Sequence, residues 1–273
     1  MVAVMGTAVA MDTATVTAVV MAATDAETPG RREGWDVPTP PVGPKVLLAG
    51  DSTATSMDHV TAPMDGWGAS LGSFLPAGVR VRNGAFSGAT AQQAIECGTW
   101  GWLLDEAAAG DVVVIQFGHN DQKTEDPDGI DRYRERLAAM VEQVRARGAV
   151  PVLATSIARR RFDGQEPVPT HGRYPETVRS LAATTGCALL DLERFTTDLL
   201  RAFGPSDSAR LLTHIDPGEH VNYPDGVHDD SHLSFLGADM IAQEVARWLV
   251  EAGLIPVEPP APPTDPPARP PTP

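Results

Sequence analysis

Cysteine is scarce: Cys97 and Cys187 are the whole complement of a 273-residue chain, and they stand far apart in unlike surroundings. Two cysteines build neither a disulfide framework nor a metal-ligand pattern, so they are free thiols or one isolated bridge. Basic residues are also short, 21 Lys and Arg against 36 Asp and Glu, for a net charge of −15. Nothing in that balance offsets phosphate repulsion over a broad face, and nucleic acid is not an expected partner. No Lys or Arg precedes Arg31, and Asp12 and several threonines interrupt the small apolar residues of the N-terminus. A signal peptide wants a basic start and an unbroken apolar run, and a membrane span wants a longer one. Residues 1–43 are therefore expected to be a disordered leader, a weak export signal or the result of a misassigned start codon, without stable membrane insertion. No internal repeat is evident.

What is present begins with the other end. "PVEPPAPPTDPPARPPTP" is about half proline, which forms neither helix nor sheet ladders, so residues 255–273 read as an extended, exposed tail. Such spacers hint at export. An extracellular location is expected, and a cytoplasmic one stays compatible with the poor leader. The remaining stretch, 44–254, is long enough for one core, and 42% of the chain is hydrophobic.

Within it short apolar runs alternate with amphipathic stretches. "KVLLAG", "VRVRNGA", "DVVVIQFG", "AVPVLATS" and "ALLDL" read as strands, the third with a β-branched run suited to burial on both faces. "GWGASLGSFL", "AQQAIECGTWGWLLDEAAA", "DRYRERLAAMVEQVRARG", "PETVRSLAATTG" and "FLGADMIAQEVARWLVEAG" read as helices. The third of these puts Leu137, Met140, Val141 and Val144 on one face. Alternation of this kind predicts an α/β fold, a flavodoxin-like three-layer α/β/α sandwich with about five parallel strands in the order 2-1-3-4-5. Its site belongs in the crevice beyond the carboxyl ends of strands one and three, where the strand order reverses.

The residues at that edge carry chemistry. Strand one ends in Gly50-Asp51-Ser52 and strand three in Gly118-His119-Asn120-Asp121, while "NGAFSGAT" after strand two brings Gly88 to the same rim. Before the last helix stands "YPDGVHDDSHLSFLGA", rich in His and Asp. A serine hydrolase needs a nucleophile, a base within hydrogen-bond reach, a carboxylate to orient that base and donors for the oxyanion. Ser52 suits the first role, His232 the second and Asp229, one turn earlier, the third. The backbone amides of Ser52 and Gly88 and the side-chain amide of Asn120 suit the fourth, glycine allowing close backbone approach.

These blocks resemble those of the SGNH (GDSL-type) hydrolase family: Ser52 in "GDST", Gly88 in "NGAFSG", Asn120 in "GHND" and His232 in "DDSHLSFLGA", in the family's order. "AGDSTA", "GWG", "IQFGHNDQK" and "ARRRF" are most similar to its rhamnogalacturonan acetylesterase group. That group usually has Arg-Ser after the second-block glycine, where this chain has Ala89-Thr90. The resemblance implies a carbohydrate esterase working through an acyl-enzyme. Its partner would be an acetylated polysaccharide or oligosaccharide from plant cell walls, with no cofactor and no metal, and a monomer is expected.

Other readings stand beside these. Ser52 also suits a helix N-cap. His228 competes with His232, since "DGVH" repeats the Asp-x-x-His spacing with Asp225; the "HLSFLGA" that follows favours His232. His214, Asp216, His220, Asp225, His228, Asp229 and Asp230 are metal-ligand types, yet match no compact zinc spacing. Arg159, Arg160 and Arg161 form either a solvated basic turn or an attractor for uronate carboxylates. Trp67, Trp100 and Trp102 read as core sooner than as sugar platforms. The rival functions are a lipase or thioesterase of the same family, expected to line its crevice with apolar loops, and a non-catalytic carbohydrate-binding protein.

Overall fold

The computed structural model describes residues 43–123 and 129–256; nearly all of the expected leader and of the proline-rich tail lies outside them. In chain order come β1 (Lys45–Gly50), β2 (Met64–Asp65), α1 (Trp67–Phe74), β3 (Arg80–Asn83), α2 (Ala91–Glu96), α3 (Thr99–Glu106) and β4 (Val112–Gln116). Then follow α4 (Gly129–Ala146), β5 (Val150–Ala154), β6 (Phe162–Asp163), β7 (Glu166–Pro167), α5 (Tyr174–Thr185) and β8 (Ala188–Leu190). The last elements are α6 (Leu192–Asp207), β9 (Leu212–Ile215), β10 (Val227–Ser234) and α7 (Phe235–Glu251).

Five strands form the parallel sheet, in the order β3-β1-β4-β5-β8. Counted along the chain this is 2-1-3-4-5. Because side chains alternate across a strand, each strand feeds two cores. Val46, Leu48, Val112, Val114 and Val152 pack with Trp67 and Leu71 of α1, Leu192 and Leu200 of α6, and Ile241, Val245 and Leu249 of α7. Leu47, Ala49, Val113, Ile115 and Leu153 pack on the other face, against α2 to α5. There α4 presents Tyr133, Leu137, Met140, Val141 and Val144, a stripe at helical spacing. Each such buried side chain contributes about 1.5–3 kcal/mol relative to exposure.

Local sequence explains the breaks. The long helical stretch after β3 is two helices, because Gly98 sits at a φ of +80° between them. Thr90 starts the first with a capping box: its hydroxyl accepts from the Gln93 N–H and its own N–H donates to the Gln93 side chain. Ser234 caps α7 without a capping box, its hydroxyl accepting from the Gly237 N–H.

The order reverses at β1 and β4, where Gly50 lies opposite Gln116. The segments leaving both strands therefore share one edge. A second, antiparallel sheet, β2-β10-β9, carries the His- and Asp-rich segment. Trp67 and Trp100 are buried, while Trp102 is 45% exposed. Cys97 is exposed, Cys187 is buried, and both are free thiols.

Candidate active site

The chain leaves β1 through a tight turn in which the Asp51 carbonyl accepts from the N–H groups of Ala54 and Thr55, each at 3.1 Å. Gly50 eases the close approach: a Cβ there would stand 3.0 Å from the Gln116 carbonyl oxygen and 3.1 Å from the Ala54 methyl, tighter than an ordinary contact. Ser52 sits at the crest, 7% exposed. Beneath it runs a one-directional relay of buried hydrogen bonds. Trp67 Nε1–H donates to Gln116 Oε1 (2.7 Å), Gln116 Nε2–H to Thr53 Oγ1 (2.6 Å), and Thr53 Oγ1–H to Asp51 Oδ1 (2.8 Å). Trp is a donor only and a carboxylate oxygen an acceptor, so the ends fix every proton between them. Burial pushes the Asp51 carboxyl up to about 6, against the two hydrogen bonds from Thr53 and the charge of His232.

The opposite wall comes from β10. Asp229 pairs with Thr213 and Leu233 with Leu212, so the residues between them loop out of the ladder. In that excursion Asp229 Oδ1 accepts from the N–H groups of Ser231 (2.8 Å) and His232 (2.9 Å), and Asp229 Oδ2 accepts from His232 Nδ1–H at 2.7 Å. His232 Nε2 then faces Ser52 Oγ at 3.0 Å. Burial by itself would raise the Asp229 carboxyl; the hydrogen bonds from His232 and Ser231 outweigh it and hold it at about 2. It is therefore ionised across the neutral range. His228 goes elsewhere: exposed, it places Nδ1 3.3 Å from His214 Nδ1.

The third wall follows β4. Asn120 Nδ2–H donates to the Ala89 carbonyl (3.0 Å) and its Oδ1 accepts from Lys123 Nζ (2.8 Å), so one amide N–H is left over. Asp121 Oδ1 accepts from the Ala91 N–H at the start of α2, tying this turn to the Gly88 loop, and burial pushes its carboxyl up to about 6. Gly88 has a φ of +79°, a backbone region that favours glycine. Among the described residues no hydrogen bond uses the N–H of Ser52 or of Gly88. His119 Nδ1 faces His171 Nε2 at 3.1 Å, both rings buried. Burial, with the charge of Arg159, pulls His119 down to about 3; burial, with His119, pulls His171 down to about 2. Both are neutral braces.

Ser52, Gly88, Asn120, Asp229 and His232 all line one cavity of about 480 Å³, shared with Thr53, Ser87, His119, Gln122, Lys123, Arg159 and Ser231. The arginine run divides. Arg159 lines the cavity, whereas Arg160 pairs with Asp230 (2.8 Å) and donates to Ser208 Oγ and the Pro205 carbonyl. Arg161 is exposed, and its carbonyl closes the β6–β7 hairpin on Val168. Asp230 also meets His214 Nε2 at 2.9 Å. Among the described residues no three His, Cys, Asp or Glu side chains are grouped to hold a metal ion, and no helix is long and apolar enough to cross a membrane. Asp51, Gln116 and His171 are the site residues that sequence reasoning passed over. Their signal, a polar residue at the end of an apolar strand or inside a loop, is shared by ordinary turns.

The chain is similar to known proteins in sequence and in fold. The model of the GDSL-like lipase/acylhydrolase family matches residues 48–239. The chain is 39% identical over 211 residues to the rhamnogalacturonan acetylesterase RhgT of Bacillus subtilis, covering 77% of this chain and 91% of that one. It is 29% identical to the probable rhamnogalacturonan acetylesterase YesY of the same organism, over 77% and 94%. In fold it is similar to the YxiM protein of Bacillus subtilis, with a TM-score of 0.67, 24% identity and coverage of 77% and 57%. It is also similar in fold to Axe2, an acetylxylan esterase from Geobacillus stearothermophilus, with a TM-score of 0.53, 20% identity and coverage of 79% and 98%.

Proposed function

The chain belongs to the GDSL-like lipase/acylhydrolase family, and from that footing we propose that it is a serine esterase that removes acetyl groups from a carbohydrate through an acyl-enzyme. The observation that carries the reading is the continuous line from Asp229 through His232 to Ser52, at 2.7 and 3.0 Å.

The ionised Asp229 holds the proton on His232 Nδ1, which leaves the Nε2 lone pair facing the Ser52 hydroxyl. His232 takes that proton as Ser52 Oγ attacks the acetyl carbonyl carbon. The carbonyl oxygen becomes an oxyanion, met by the amides of Ser52 and Gly88 and the spare N–H of Asn120. Collapse breaks the bond to the sugar oxygen, which leaves with the proton from His232. Water then gives its proton to His232, adds to the acetyl-serine and, on collapse, releases acetate and restores the Ser52 hydroxyl.

The cavity and the relatives support a substrate class. Hydroxyl, amide and cationic side chains line it, as suits a sugar better than the acyl chain of a lipase substrate. The relatives similar over most of the chain are named for rhamnogalacturonan, and an acetylated pectic polymer of that class is the substrate we propose. Acetate released from acetylated rhamnogalacturonan, acetylated xylan and a long-chain acyl ester tests this. Preference for the first is expected, and preference for the long-chain ester would overturn it.

A further inference from the structure

We propose that Arg159 is a receptor for a carboxylate beside the nucleophile, so that the acetylated sugar taken by this site carries or adjoins a uronate. The proposal rests on the carbohydrate-esterase reading and adds to it the side chain that reads the polymer's charge.

Two half-buried arginines in this fold, Arg160 and Arg179, are paired with acids. Arg160 meets Asp230 at 2.8 Å, and Arg179 meets Asp191 at 2.8 Å and Glu193 at 2.7 Å. Arg159 is as deeply set, yet among the described residues no carboxylate lies within ion-pair distance of it. Neutral oxygens hold it instead. Its Nη2–H donates to the His119 carbonyl at 3.1 Å. The surrounding groups set the Gln122 amide with its oxygen toward the guanidinium, accepting from Nη1 at 2.5 Å and Nη2 at 2.8 Å, while its nitrogen donates to the Thr170 carbonyl at 3.2 Å. Three of the five guanidinium N–H groups are used in this way and two remain. Asp51 acts on it only through its field.

Among the described residues the arrangement is an oriented, partly desolvated cation without a counter-ion, which folding leaves costly and an arriving anion relieves. Its side chain is already ordered, so little conformational freedom is lost on binding. The rest of the cavity agrees. Lys123 is a second cation on its wall, and the one acid on that wall among the described residues, Asp229, is taken up by His232 and two backbone N–H groups. In a chain of net charge −15, a cationic pocket around the nucleophile singles out acidic substrate from solution.

The test compares an O-acetylated galacturonate–rhamnose oligosaccharide with the same compound after its carboxylates are reduced to alcohols. Acetate release gives kcat/KM for each, and the readout is their ratio. The wild type is expected to favour the acidic form by about ten- to a hundredfold, the range of a charge-assisted hydrogen bond. Arg159→Gln should bring the ratio near one, and Arg159→Lys, which keeps the charge without the fork, should lie between. The wild-type ratio should also shrink as salt rises, since the attraction is partly screened. A wild-type ratio of one needs no variant to read and overturns the proposal alone, as does an Arg159→Gln ratio equal to that of wild type. Acetate from neither oligosaccharide, with a small acetyl ester still cleaved, would overturn the carbohydrate reading and this proposal together.

Discussion

Nε2 of His232 lies 3.0 Å from Oγ of Ser52, across 180 residues of chain. Two local irregularities create the contact: the turn that closes β1 and the excursion of β10 between Asp229 and Leu233. Because Asp229 and Leu233 pair with successive residues of β9, three residues are spared from the ladder. His232 folds back over Asp229 there, fixed by its own N–H as well as by its ring.

This contact separates the two histidines of the repeated Asp-x-x-His pattern. His232→Ala should lower turnover on a small activated ester by about three to six orders of magnitude, as loss of one member of a cooperating set does. His228→Ala should keep most of its turnover, since that ring is exposed and meets His214. Steady-state kinetics of the two variants decide it. The reverse ranking would move the base to His228 and its carboxylate to Asp225.

Asn120 should act on turnover more than on binding. Removing one oxyanion donor costs about a hundred- to a thousandfold in kcat, so Asn120→Ala should show that loss with KM little changed. Gly88→Ala should differ, because a Cβ there meets nothing within 4 Å while its φ is +79°. About 1–2 kcal/mol of stability should go, read as a lower denaturant midpoint. A loss for Asn120→Ala confined to KM would remove it from the oxyanion role.

Much of this was legible in the sequence. Apolar runs such as "DVVVIQFG" give the central strands, and the reversal at strands one and three follows from their order. The second sheet was not legible, because β2 has two residues and β10, "VHDDSHLS", is too polar to read as a strand. The Asp–His reach looked like one turn of chain, and is made by a departure from strand pairing. Buried polar residues such as Gln116 and His171 were also hidden, since their partners come from distant segments. Neither could sequence divide Arg159 from Arg160, neighbours whose side chains point to different partners.

Asp51 gives a prediction in pH. Burial raises its carboxyl from 3.8 to about 6, so the fold favours the protonated form. The associated stability is fully present below 3.8 and is lost as pH rises through about 6. Asp51→Asn carries no such charge and should gain on wild type between those values. Denaturant midpoints of both proteins at pH 4 and pH 7 would show the gap moving in favour of the variant. A gap that stays constant would mean that Asp51 titrates as an ordinary carboxyl.

The central claim is that Ser52 carries the acyl group between the two halves of the reaction. The direct measurement is to quench the enzyme in acid during turnover of an activated acetyl ester and to weigh the peptide that contains Ser52. The account predicts an added acetyl group on Ser52 that vanishes once substrate is spent, and a folded Ser52→Ala variant slower by about three to six orders of magnitude. An unmodified Ser52 throughout a pre-steady-state burst, or a folded Ser52→Ala variant that keeps about a tenth of the activity, would contradict it.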